Sequence, residues 1–120
     1  MADKTIQIGG RDVRMAARAS NAFFFRRVFG DDPLVLLSKA TDDENSALSV
    51  DFATRMGYIM KMMAECDCDG ETMAKAVSLG DFLVWVDTFS VFDFAEAAAD
   101  IITLYMSQGK THSTEKKRDD

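Results

Sequence analysis

Six consecutive residues, Glu65-Cys66-Asp67-Cys68-Asp69-Gly70, carry the sharpest chemical pattern in the chain. Acidic side chains at positions one, three and five of a calcium loop would aim oxygens at one ion, and a glycine at six would permit its sharp turn. The pattern then departs from that chemistry. Position one is Glu65 rather than the usual aspartate, position eight is Thr72 where an apolar residue is usual, and position twelve is Ala76. Without a bidentate carboxylate at twelve the oxygen shell does not close. The segment is expected to be an acidic turn between two helices.

Cys66 and Cys68 could be soft-metal ligands, but a structural zinc site takes four protein ligands. The single histidine, His112, falls in a polar segment near the end of the sequence. The folded part therefore lacks the commonest general base and any Ser-His or Cys-His pair. Asp31/Asp32 and Asp42/Asp43 sit beside turns, where carboxylates act as caps and solvated loop charges. Gly9-Gly10 has no third glycine, lysine or helix start at the spacing a phosphate loop needs. No catalytic residue, metal or cofactor is expected, and an enzyme is the last of the function classes.

The elements that would have to position any site are clearest between Thr5 and Leu37. Ile6 and Ile8 alternate with Thr5 and Gln7, Gly9-Gly10 can take the positive φ angles of a tight hairpin turn, and Val13 and Met15 resume the alternation. A helical spacing follows, with Ala22, Phe25, Val28 and Phe29 on one face and Gly30 placed to stop it. Asp32 and Pro33 then supply a cap and a first-turn proline for a helix carrying Leu34 and Leu37. A two-stranded hairpin is marginal alone, so it must fold against these helices.

Residues 41–47 are polar and acidic without periodicity, and read as a loop. Ser49 is expected to cap a helix reaching about Glu65, with Phe52, Ala53, Met56, Ile59, Met60 and Met63 on one face. A shorter helix is expected from about Glu71 to Leu79. From Asp81 large side chains crowd together, and Phe82, Val86 and Phe89 fall on one stripe, with Leu83, Val84 and Trp85 elsewhere around the turn. A helix apolar nearly all round is either central in the core or shared with another chain. Ser90 is expected to cap a last helix whose buried stripe is Phe94, Ala98, Ile101 and Tyr105. The fold class is α+β and mostly α-helical, with a small N-terminal β-hairpin packed on about five helices. Residues 1–107 form one domain, followed by a disordered charged tail over 108–120.

The chain has 120 residues, a formal net charge of −6 and 48% hydrophobic residues, which suits one soluble globular domain. No apolar run reaches the roughly 18 residues of a membrane span, so no membrane partner is expected. Met1-Ala2-Asp3-Lys4 leads into a strand rather than an apolar leader, and the two cysteines are too close for a disulfide framework; both fit a reducing cytoplasm. The net charge is +3 over residues 1–40, −10 over 41–108 and +1 over 109–120. An acidic majority argues against nucleic acid as a partner. The same asymmetry allows a basic end of one copy to meet an acidic end of the next.

Nine Phe, eight Met and one Trp are a heavy apolar load for this length. Phe23, Phe24 and Phe25 cannot all face one core, because adjacent helical residues point about 100° apart. Met62 likewise falls off the main stripe of its helix. Phe23, Phe24, Met62, Phe82, Trp85, Phe89 and Phe92 are therefore the expected partner or oligomer surface, thioether and aromatic side chains being adaptable in contact.

In order, Ile6-Gln7-Ile8-Gly9-Gly10-Arg11-Asp12-Val13-Arg14-Met15, the helix ending Val28-Phe29-Gly30-Asp31-Asp32, and Leu34 to Leu37 resemble the tail assembly chaperones of long-tailed (siphovirus-type) bacteriophages. The Met-rich helix and the Trp/Phe-rich helix before a final helix fit that outline, and the resemblance covers most of residues 5–106. Arg11 stands where the family commonly has lysine, and three consecutive phenylalanines are unusual for it. The resemblance implies a non-enzymatic homo-oligomer in the host cell cytoplasm that coats the tape-measure protein and keeps it soluble. It further implies help for the tail tube protein to polymerise and absence from the mature virion. It also implies a longer product made by −1 ribosomal frameshifting, and Glu115-Lys116-Lys117 and Gly109-Lys110 are compatible with the repeated bases such slippage needs. The alternatives are a structural tail or adaptor protein retained in the virion, and a small regulatory interaction module using the 65–70 turn.

Overall fold

Two adjacent glycines with positive φ, Gly9 at 58° and Gly10 at 79°, turn the chain back on itself in a two-residue loop. In the computed structural model, which describes the backbone of residues 2–42 and 46–119 and the side chains of residues 3–40 and 47–107, this turn joins β1 (Ala2–Ile8) to β2 (Arg11–Ala17). The strands pair antiparallel from Ala2 opposite Ala17 to Ile8 opposite Arg11. Period-two alternation puts Ile6, Ile8, Val13 and Met15 inside and leaves Thr5, Gln7, Asp12 and Arg14 outside. Gln7 donates to Asp12 across the strands at 3.1 Å.

Six helices follow among the described residues, as expected for a mostly helical α+β chain: α1 (Asn21–Phe29), α2 (Pro33–Asp42), α3 (Ser46–Glu65), α4 (Gly70–Ala76), α5 (Leu79–Val86) and α6 (Val91–Asp119). Gly30 closes α1 in the left-handed region, and its N–H donates to Arg26 O. Asp32 Oδ1 accepts from Leu34 N at 2.9 Å and opens α2 behind the buried Pro33. The junction from β2 into α1 is held by Asn21, a fully buried polar residue. Its Oδ1 accepts from Arg18 N, and its Nδ2 donates to Ala16 O at 3.4 Å.

Three boundaries differ from expectation. α3 begins at Ser46, so Ser49 is an interior helical residue rather than its cap; residues 43–45 of the expected loop lie outside the described residues. The helix expected over 71–79 ends at Ala76, and Ser78, in extended conformation, opens α5 by accepting from Asp81 N at 3.0 Å. Ser90 does open α6: its Oγ accepts from Phe92 N at 3.1 Å, while Asp93 reaches back to accept from Ser90 N at 2.8 Å. The charged segment 108–120 lies outside the residues whose side chains are described, α6 being bounded at Asp119.

The core forms around α3. The hairpin, α6, α1 and α2 all pack on it, and α5 and α4 touch it near its C-terminal half. Phe52, Ala53, Met56, Tyr58, Ile59, Met60, Met62, Met63 and Ala64 are all buried. Gly57 lets its neighbours approach: a Cβ there would lie 3.4 Å from both the Ile101 and Met15 side-chain tips. Gly9 serves a second close approach, because a Cβ on it would come within 2.6 Å of the Asp93 carboxylate. The hairpin turn is thereby seated on the corner between α5 and α6.

Gly10→Ala is expected to cost about 1–2 kcal/mol, the ordinary cost of a left-handed alanine, since its Cβ would meet nothing within 4 Å. Gly9→Ala is expected to cost more, because it adds the collision with Asp93. Urea denaturation reads both, and equal costs would mean that the turn is not seated on Asp93.

Candidate functional site

An unbroken chain of ring contacts runs through the molecule and decides which aromatic residues remain available at the surface. Phe52 lies 5.9 Å from Phe25, Phe25 5.1 Å from Phe29, Phe29 4.8 Å from Phe82 and Phe82 5.4 Å from Tyr58. Tyr58 is 6.1 Å from Trp85, and Trp85, Phe89 and Phe94 form a triangle with centroids 5.2–5.5 Å apart. Most of these pairs are edge-to-face or tilted, the geometry that ring quadrupoles favour, at about 0.5–1.5 kcal/mol each beyond area burial.

Three of the expected surface residues are interior. Phe82 is 9% exposed, Trp85 8% and Met62 7%. Met62 is interior because α3 is covered on several sides, so a side chain off its main stripe still meets protein; Phe82 and Trp85 are interior because α5 turns that side toward Phe29 and Tyr58. α5 lies at the periphery, with Phe82 and Trp85 turned in and Leu83 and Val84 turned out. Phe89 and Phe24 are half-buried against the core. Phe89 is further covered by Arg11, whose guanidinium lies 3.9 Å above the ring and whose Nη1 donates to Thr88 Oγ1 at 3.1 Å. Arg11 thus fastens the hairpin turn to the same corner that receives Gly9.

Two of the seven remain fully outside, Phe23 at 68% and Phe92 at 75% exposure. The sequence reading missed Leu34, Val35, Leu79, Leu83, Val84, Val91 and Met106, all exposed large apolar residues. The signal available for α5 was the inward stripe itself: once Phe82 and Trp85 face in, Leu83 and Val84 must face out. A groove of 460 Å³ also runs between α3 and α6, floored by Ala95, Ala98 and Ala99 and walled by Val50 and Ile102.

The turn at 65–70 is a helix-to-helix connection. Asp67 and Cys68 take positive φ of 52° and 61°, and Cys68 N returns to Met63 O at 2.9 Å. Asp69 caps α4 by accepting from Thr72 N at 3.1 Å. The Thr72 hydroxyl and then this N–H hold the Asp69 carboxyl below its ordinary range. Burial, and then Glu65, push the Cys66 thiol up, away from the thiolate a metal or nucleophile would need. Among the described residues no group of three His, Cys, Asp or Glu could hold a metal ion. Tyr58 donates to Asp81 Oδ2 at 2.7 Å and accepts from Ser78 N at 3.2 Å, pinning α5 to α3. Burial, reinforced by Asp81, pushes its phenol up, so the network holds a neutral donor.

No family model, curated protein or solved structure matches the chain. Among the described residues no helix is long and apolar enough to cross a membrane. The molecule is a hairpin and helical body with large apolar side chains standing outside its core.

Phe82→Ala and Trp85→Ala are each expected to cost about 3–5 kcal/mol, and Phe23→Ala and Phe92→Ala to stay within about 0.5 kcal/mol of wild type. Denaturant unfolding of the four variants checks the partition. A large loss at Phe23 or Phe92 would place that ring in the core.

Proposed function

We propose that this protein is a non-enzymatic binding module, a tail assembly chaperone of a long-tailed bacteriophage. It acts in the host cytoplasm, self-associates, and sheathes the tape-measure protein until the tail tube protein has polymerised around it. The observation that carries the binding role is the set of large apolar side chains on α1, α2, α5 and α6 that the core leaves exposed. Soluble monomers rarely expose extended apolar patches without a partner for them.

The assignment to tail assembly rests on the hairpin, the Phe-Gly helix end and the order of the Met-rich and Trp/Phe-rich helices. Those motif residues have structural work here. Gly9 and Gly10 make the turn, Arg11 fastens it over Phe89, and Phe29-Gly30 closes α1 against Phe82. A tape-measure chain is a long helix with an apolar stripe and aggregates unless covered. Many small rigid copies offering apolar helix faces bind such a stripe by repetition, so weak single contacts add to a tight sheath.

Co-expressed with the tape-measure protein of the same phage, this chain is expected to hold it in the soluble fraction and to co-purify with it. Mass spectrometry of purified particles is expected to lack the chain. A tape-measure protein that stays insoluble in its presence overturns the chaperone reading, and recovery of the chain from mature particles replaces it with a structural tail or adaptor protein.

A further inference from the structure

Among the described residues β2 pairs with β1 alone, so one of its edges carries no strand. A cleft of 240 Å³ is lined by Arg11, Asp12, Val13 and Arg14 of β2, with Lys61 and Glu65 of α3 and Trp85 of α5 completing it. Successive side chains of a strand point to opposite faces. Four consecutive strand residues therefore meet one cleft only where it follows the free backbone edge.

The hairpin register says which backbone groups look into that cleft. The two-residue turn closes with Arg11 N–H donating to Ile8 C=O, which makes Ile8 and Arg11 a hydrogen-bonded pair. Pairs alternate from there, so Ile6 and Val13 are hydrogen-bonded, whereas Gln7 and Asp12, and Thr5 and Arg14, are not. The N–H and C=O of Asp12 and Arg14 thus point away from β1. The 3.1 Å bond between the Gln7 and Asp12 side chains agrees with the closer spacing of such a pair. Among the described residues no hydrogen bond outside the strand ladder takes up these backbone groups.

Most of the charge around the cleft is already engaged. Asp12 is held by Gln7, Lys61 and Glu65 by each other at 3.0 Å, and Arg11 by Thr88 and the Phe89 ring. Arg14 is exposed and, among the described residues, has no ion pair.

We propose that the β2 edge receives an extended segment of a partner protein, which adds a third strand beside Asp12 and Arg14 and sets an acidic side chain next to Arg14. Backbone bonds to the exposed edge supply the affinity, and alternate side chains supply the choice of partner. One face of the segment is acidic and lies by Arg14; the other is apolar and turns in toward α3 and α5. A second copy cannot supply this strand from its own β2, whose edge lies in the same kind of cleft. The site is independent of the tail-assembly assignment.

The test is fluorescence anisotropy on the whole chain with a labelled eight-residue peptide of alternating valine and glutamate, and with its valine–lysine counterpart. Wild type is expected to bind the glutamate peptide and not the lysine one. Arg14→Glu, a change at an exposed position, is expected to weaken the glutamate peptide by about tenfold or more and to take up the lysine peptide instead. A second arm leaves the protein unaltered and places N-methyl groups on alternate amides of the glutamate peptide. Methylation of one alternating set is expected to abolish binding and methylation of the other to preserve it, since only one set faces β2. Failure of the glutamate peptide to bind, equal binding to wild type and Arg14→Glu, or equal effects of the two methylated sets overturns the proposal. Release of bound peptide as the protein is concentrated would give the edge to a second copy, and overturns it as well.

Discussion

A helix that is apolar on nearly every side must be surrounded, and α3 imposes that requirement on the rest of the chain. From Phe52 to Ala64 nearly all of its large side chains are buried, so one covering layer is not enough. The hairpin and α6 cover one side, α1 and α2 another, and α5 and α4 close it toward the C-terminal half. Gly57 leaves room for the tips of Ile101 and Met15, which lie 3.4 Å from where a Cβ would stand. Polar pins then orient the covers at little cost in burial. Tyr58 ties α5 to α3 through Asp81 and Ser78, Asn21 fixes the exit from β2, and Arg55 bridges Asp31 and Asp51 at 3.0 and 3.1 Å. The Arg55 pairs are partly exposed and worth about 0–1 kcal/mol each, so they steer the α1–α2 loop more than they stabilise it.

Covering α3 consumes most of the aromatic residues and determines which ones are free to bind. The ring contacts from Phe52 to Phe94 absorb Phe25, Phe29, Phe82, Tyr58, Trp85 and Phe89. The hairpin turn, seated on Asp93 and fastened by Arg11 over Phe89, seals the far end of that chain. Phe23 and Phe92 fall outside it because each lies at the start of a helix, on the side away from α3. The remaining apolar load stands on α1, α2, α5 and α6, and its two largest exposed rings are Phe23 near the start of α1 and Phe92 near the start of α6.

The hairpin, the end of α1 and the start of α2 were legible because each is fixed by local chemistry: period-two alternation, left-handed glycines, a capping aspartate before proline. The start of α3 was not, because a serine inside a helix looks in sequence like a serine that caps one. Ser78 was missed for the converse reason, although Ser78 and Asp81 have the spacing of a capping pair. The larger error concerned Met62, Phe82 and Trp85. Helical spacing says which residues share a face, but not how many faces are covered, and that depends on contacts between segments far apart in sequence. Phe23 and Phe92 were legible as surface candidates, whereas Leu79, Leu83 and Val84 were passed over because Phe82 and Trp85 of the same helix were taken as its outward side.

If the aromatic chain is interior in every copy, free or assembled, binding uses other residues. Trp85 is the only tryptophan in the chain, and its emission reports that position directly. Acrylamide quenching of the dilute protein and of its assembled form, alone and with the tape-measure protein, measures the exposure of that ring. A blue-shifted, poorly quenched emission, the same in all three states, is expected. A red-shifted, readily quenched tryptophan in the free protein that becomes protected on assembly would contradict it, and would make Trp85 part of the interface rather than of the core.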